Sequence, residues 1–173
     1  PTLAKIAEQE GVQMITVHGR TRCQFYSGKS DWNFIKEVKD KISIPLIVNS
    51  DIKSYEDVDN ALDLSCANGV MLGRGVYGKP WLLNQVDHYV KNKQLLPSPT
   101  LFEQKNIILN HYDDILNYYG IDNGIKIARK HLGWYSAGLC NSSDFRAGVN
   151  QETDHRKIME LIDVFYQNLI ENQ

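Results

Sequence analysis

Cysteine is scarce: Cys23, Cys66 and Cys140 are the only three, widely spaced and odd in number. Such a set argues against a disulfide framework or a zinc cluster and fits a reducing cytoplasm. No apolar run is long enough to cross a bilayer, which excludes a membrane-spanning helix. There is no excess of positive charge. The formal net charge is -2, so nucleic-acid affinity cannot come from the chain as a whole. Residues 1–99 hold 12 Lys/Arg against 11 Asp/Glu, and residues 100–173 hold 7 against 10, so any basic patch must be local. Internal repeats and low-complexity tracts are absent. The opening PTLAKIAEQEG is neither a basic leader nor a signal core. It reads as the second half of an amphipathic helix, an odd way for a complete protein to begin. What remains is the composition of a soluble globular protein, 42% hydrophobic and 23% charged, over 173 residues.

The first half alternates helix and strand. Residues 3–10 look like a helix tail ended by Gly11. Residues 14–17, 44–48 and 69–72 are short continuous apolar runs, the pattern of parallel strands covered on both faces. Asp31 and Ser54 can cap the helices that follow, and residues 81–91 form another. Repeated βα units imply a (β/α) barrel or a doubly wound sheet. Residues 92–99, NKQLLPSP, read as a linker, so a boundary is placed near residue 95. Beyond it the pattern is all helical. Thr100 and Glu103 open a helix that runs to Tyr119. A second is expected over 124–137. The stretch GLCNSSDFRAGVN reads as a loop, and a last helix covers about 152–171.

In α/β folds ligands bind at the carboxyl ends of strands. Three such ends carry unusual residues: His18-Gly19-Arg20-Thr21-Arg22, Asn49-Ser50-Asp51 and Gly73-Arg74-Gly75. Gly73 and Gly75 can adopt positive φ and let a ligand approach the backbone. Their amides, with Arg74, suit a phosphate. His18 can donate to a phosphate or a ring carbonyl, and Asn49 both donates and accepts. Alone, a Gly-Arg-Gly is more often a tight turn and a strand-end histidine a cap. Their conjunction points to a phosphorylated planar ligand.

In order and spacing, VHGRTRCQFYSGKSDWNFIKEVK, IPLIVNSDI and GVMLGRGVYGKPWLLNQV resemble bacterial tRNA-dihydrouridine synthases, closest to the DusB type. GIKIARKHLGWYSAGL resembles that family's C-terminal domain. The resemblance implies an FMN enzyme that uses NADPH to reduce uridine to 5,6-dihydrouridine in tRNA. It implies an eight-stranded TIM barrel followed by a helical domain. Here those would be barrel strands 6–8 over residues 1–95 and a tRNA-binding helical bundle over 96–173. His18, Asn49, Ser50, Asp51, Gly73 and Arg74 then fall on the FMN-contacting positions. Ser50 stands where the family has glycine, and a serine forced to positive φ is expected to be strained. The family's first five strands and its catalytic cysteine have no counterpart here. The three cysteines match no catalytic position and are expected to be structural; no metal is expected.

Lys126, Arg129 and Lys130 share one helix face. By themselves they read as a solvated face; the resemblance makes them the expected tRNA contacts. Arg146 is a weaker candidate, and Trp134 and Tyr135 are expected in the core. Three strands cannot close a barrel. The chain is therefore expected to be poorly stable, to aggregate, or to pair with a second copy or a missing half. The rival readings are another FMN-dependent barrel oxidoreductase and a catalytically inactive tRNA-binding fragment.

Overall fold

The computed structural model describes residues 1–25 and 27–172. Tyr26, inside the first quoted motif, and Gln173 lie outside the described residues. The chain divides into two compact units. One comprises Pro1–Val76 and Leu82–Leu95, the other Tyr77–Trp81 and Leu96–Gln173.

The first unit is α/β. It contains helix α1 (Thr2–Gln9), strand β1 (Ile15–His18), α2 (Trp32–Lys39), β2 (Leu46–Asn49), α3 (Tyr55–Ser65), β3 (Gly69–Met71) and α4 (Leu82–Asn92). The strands form one parallel sheet in the order β1-β2-β3. Register pairs His18 with Asn49 and Asn49 with Met71, so the strand ends lie side by side. Central β2 buries Leu46 and Val48 completely on one face, whereas Ile47 and Asn49 on the other face are only partly buried, so the expected cover on both faces is met on one side alone. Asn68 fixes the β2–β3 register, because its Oδ1 accepts the Leu46 amide at 3.0 Å and its own amide donates to the Leu46 carbonyl at 2.8 Å. Asp31 and Ser54 cap α2 and α3 as expected, accepting from the Phe34 and Asp57 amides. Helices α2 and α3 pack on β2 and on each other through Ile35, Val38, Val58 and Ala61. The outer edges of β1 and β3 pair with no strand among the described residues. Leu3, Ile6, Val12, Met14 and Met71 are exposed in this unit. Helix α1 buries no residue; it is tied down by Glu8, whose carboxylate accepts the Ser43 amide and hydroxyl at 2.8 and 2.6 Å.

The second unit is helical: α5 (Leu101–Tyr119), α6 (Ile121–Tyr135), α7 (Ser142–Gln151) and α8 (His155–Glu171). The Thr100/Glu103 capping box starts α5 as the sequence implies. Gly120 at φ +76° turns the chain into α6 three residues before the expected start. Gly124 lets α6 close on α5, since a Cβ there would press on Leu116. The core is built from Ile108, Tyr112, Ile158, Ile162 and Tyr166, each at most 2% exposed. Phe145 and Phe165 stack at 4.3 Å between centroids.

Residues 142–151, expected to be loop, are helix α7. Its sequence is polar and holds Gly148, so local propensity is low. Tertiary packing decides it: Phe145 and Val149, one turn apart, are buried in the helical core. The three cysteines are exposed free thiols, so the expected structural role is not seen. Among the described residues no helix is long and apolar enough to cross a membrane, and no group of acidic, histidine and cysteine side chains is gathered to hold a metal.

Candidate functional site

The parallel register gathers residues distant in sequence onto one edge of the sheet. His18 closes β1 and is exposed, Asn49 closes β2 beside it, and Gly73 and Arg74 follow β3. Arg74 opens a short 3-10 turn, Arg74–Val76. The loop after β1 is pinned by the Gly19 amide, which donates to the Asn49 carbonyl at 3.1 Å, and by the Gly19 carbonyl, which accepts from the Asp31 amide at 2.7 Å.

Arg20, noted in the sequence as part of the first strand end but given no role there, turns inward. Its guanidinium side chain is 4% exposed and pairs with the Asp51 carboxylate at 2.5 Å. It also donates to the Gly28 carbonyl at 2.7 Å and to Ser50 Oγ at 3.4 Å. Asp51 Oδ2 further accepts the Ser30 amide at 2.9 Å. Burial pushes the Asp51 carboxyl up, but the Arg20 and Ser30 hydrogen bonds outweigh it and hold it below its ordinary value. Its charge is therefore used to tie the first loop to the second. A sequence signal existed: Arg20 and Asp51 each stand two residues beyond strand ends that pair in register.

Ser50 sits at φ +118°, a conformation that favours glycine. It is 5% exposed. Its hydroxyl lies 3.4 Å from His18 Nε2, and its carbonyl accepts from Trp32 Nε1 at 3.3 Å. These bonds hold a backbone that serine resists, at a cost of about 1–3 kcal/mol.

The glycines of the third loop divide differently from expectation. Neither Gly73 nor Gly75 has positive φ. Gly75 is demanded by packing, because a Cβ would collide with the Ile52 carbonyl oxygen. Around Gly73 a Cβ would meet nothing, so its backbone face is open to a ligand. Asn49 Nδ2 donates to Met71 Sδ at 3.1 Å, which orients the amide along the strand ends. An exposed imidazole, an amide, a guanidinium and an open glycine backbone on one edge form a donor set that fits a phosphorylated, planar ligand such as FMN.

In the helical unit Lys126 and Lys130 are exposed on α6. Arg129 is not with them: its guanidinium donates to the Val149 carbonyl at 3.3 Å and to the Glu152 carbonyl at 2.9 Å, capping the end of α7. Arg146 is exposed and donates to the Ser142 carbonyl at 3.1 Å. Tyr135 is buried as expected, but Trp134 is only half-buried.

Residues 2–171 match the family model described as Dihydrouridine synthase (Dus). A probable tRNA-dihydrouridine synthase of Rickettsia bellii is 53% identical over 173 residues, covering 100% of this chain and 53% of the relative. Its counterpart in Rickettsia conorii is 54% identical over 171 residues, covering 99% of this chain and 52% of the relative. The tRNA-dihydrouridine synthase B of Pasteurella multocida is 39% identical over 168 residues, covering 97% of this chain and 50% of the relative. The chain thus spans about half the length of the curated relatives it matches.

Proposed function

The chain belongs to the dihydrouridine synthase family, and from that premise we propose that it carries the flavin-phosphate and tRNA-contacting share of an enzyme that reduces uridine to 5,6-dihydrouridine in tRNA. The observation that carries this reading is the parallel register that sets His18 beside Asn49 and brings Gly73 and Arg74 to the same edge. The three strands are assigned to positions 6–8 of a (β/α)8 barrel, whose further strands would cover the open edges of β1 and β3. A second copy of the chain is the other partner able to do so.

FMN, reduced by NADPH, would supply hydride to the uracil C5–C6 double bond. The residues here have binding and orienting roles. Arg74 and the Gly73 backbone would hold the phosphate. His18 and Asn49 would hydrogen-bond the ring, with Ser50 and Asp51 shaping the turn beside it. Arg20 acts through Asp51 and keeps that turn in place. By the family resemblance none of the three cysteines is the proton donor: Cys23 is in the loop that leaves this edge after β1, and Cys66 ends α3 at the opposite end of β3. The acid is therefore assigned to the part of the enzyme outside this chain. Lys126 and Lys130 are proposed as tRNA phosphate contacts, with Arg129 shaping their surroundings through α7.

The test is a visible absorbance titration of the purified chain with FMN. A bound-flavin spectrum, weakened in His18→Ala and in Arg74→Ala, is expected. Equal affinity in both variants would remove these residues from the site. Without flavin binding but with a tRNA gel shift lost in Lys126→Ala/Lys130→Ala, the tRNA-binding module stands alone. The self-contained core of the helical unit favours that second reading.

A further inference from the structure

We propose that Tyr77 and Trp134 form a stacking platform for an unpaired base of RNA, with Lys126 and Lys130 set to meet its phosphates. This rests on the tRNA reading above and adds the residues that would grip an unstacked nucleotide.

Both rings belong to the helical unit. Their centroids are 3.9 Å apart and their planes differ by 10°. Tyr77 is 47% exposed, an unusual position for a tyrosine already face to face with an indole. Lys130 Nζ lies 5.1 Å from the Trp134 ring centroid. Lys126 is one helical turn earlier on the same face. Base–aromatic stacking needs an open π-face, and nearby ammonium groups complement the phosphates on either side.

The platform is rigid before any ligand arrives. His131 meets Trp134 edge-on at 5.1 Å and 87°. His111 in turn meets His131 edge-on at 4.9 Å, and its Nδ1 lies 2.9 Å from the Tyr135 hydroxyl. The backbone beside Tyr77 is seated as well. Gly78 has φ +73°, and a Cβ there would collide with the Trp134 carbonyl oxygen. A base landing on these rings loses only its own freedom, which favours binding.

Charge argues for the same mode. Residues 77–81 and 96–173 carry 8 Lys/Arg against 10 Asp/Glu, so this unit cannot attract RNA by bulk electrostatics. A contact led by stacking, with two local cations, is what such a surface can offer. It predicts a shallow salt dependence, with log K falling by roughly 1–2 per decade of salt.

The experiment uses the intact chain and two probes, an unmodified tRNA transcript and a single-stranded oligouridylate carrying 5-iodouridine. Affinity is measured by filter binding, melting by circular dichroism, and photo-crosslinks by peptide mapping. Tyr77→Phe should bind tRNA like the parent, and Tyr77→Ala about tenfold more weakly. The oligouridylate should crosslink to Tyr77. Parent-like tRNA affinity in Tyr77→Ala overturns the platform and leaves the tRNA reading intact. A crosslink at Tyr77 without tRNA binding sustains the platform and overturns that reading. Binding of neither probe overturns both. Where Tyr77→Ala also lowers the melting temperature, the crosslink decides: a map without Tyr77 overturns the proposal.

Discussion

The helical unit and the sheet unit bury similar apolar side chains but complete their backbones in different ways. Each helix satisfies its own hydrogen bonds, and the α5–α8 core closes around Tyr112, Ile162 and Tyr166. A strand depends on neighbours, and β1 and β3 each present an edge with no partner strand among the described residues. The sheet unit has a packed core of its own around Ile35, Leu46, Val48 and Val58, and adds polar ties: Glu8 on Ser43, Asn68 on Leu46, Arg20 on Asp51. One chain therefore contains a region whose packed helices close on themselves and a region whose packed core leaves two sheet edges open and whose loops are tied by named hydrogen bonds. Substitutions should separate the two.

The largest effect is expected from Ile162→Ala. Ile162 is fully buried, and truncating it should cost the helical unit about 4 kcal/mol. Hydrogen exchange should show α5, α6 and α8 opening while the β2 amides keep their protection; a parallel loss in β2 would mean the two regions unfold as one. Arg20→Met tests the opposite side. It leaves the Asp51 charge without its main partner and should cost roughly 3 kcal/mol, with fast exchange confined to the loops after β1 and β2. Ser50→Gly should stabilise the sheet unit by about 1 kcal/mol, read as a higher denaturant midpoint. Glycine accepts φ +118°, and the serine hydroxyl makes only long hydrogen bonds, at 3.4 Å to Arg20 and to His18.

The smallest effect is a pH dependence specific to the helical unit. Burial holds the His111 imidazole below its ordinary value, although Asp114 pulls it back up. Burial also lowers His131, and the neighbouring His111 and Lys130 charges push the same way. Unfolded histidines take up protons near pH 6.5, where these two resist. The unfolded chain then binds more protons, so stability should fall as pH drops below about 6.5. Melting curves at pH 7.5 and 5.5 should show the decline, and His111→Gln/His131→Gln should flatten it.

Much of this comparison was legible in the sequence. The apolar runs marked all three strands, and the capping signals at Asp31, Ser54 and Thr100 placed three helix starts. Helix α7 was hidden because only Phe145 and Val149 mark its apolar face, and both are decided by partners elsewhere in the chain. In the candidate site, serine at a glycine position announced the strain found at Ser50. The pairing of Arg20 with Asp51 was signalled by their matching places beyond two strand ends, but the capping by Arg129 was not legible: that arginine's sequence context does not say whether it faces solvent or a carbonyl. Gly75 was read as a ligand contact because a glycine fitted against backbone and a glycine left open for a ligand look identical in one dimension.

The turn over residues 50–53 receives a neighbour from each side. Arg20 reaches it from the first loop, and Gly75 rests on its Ile52 carbonyl from the third. A residue inserted there would shift both neighbours at once. Related chains that vary in loop length should therefore keep this turn constant and place their insertions elsewhere, so that its length serves as a ruler for aligning distant relatives.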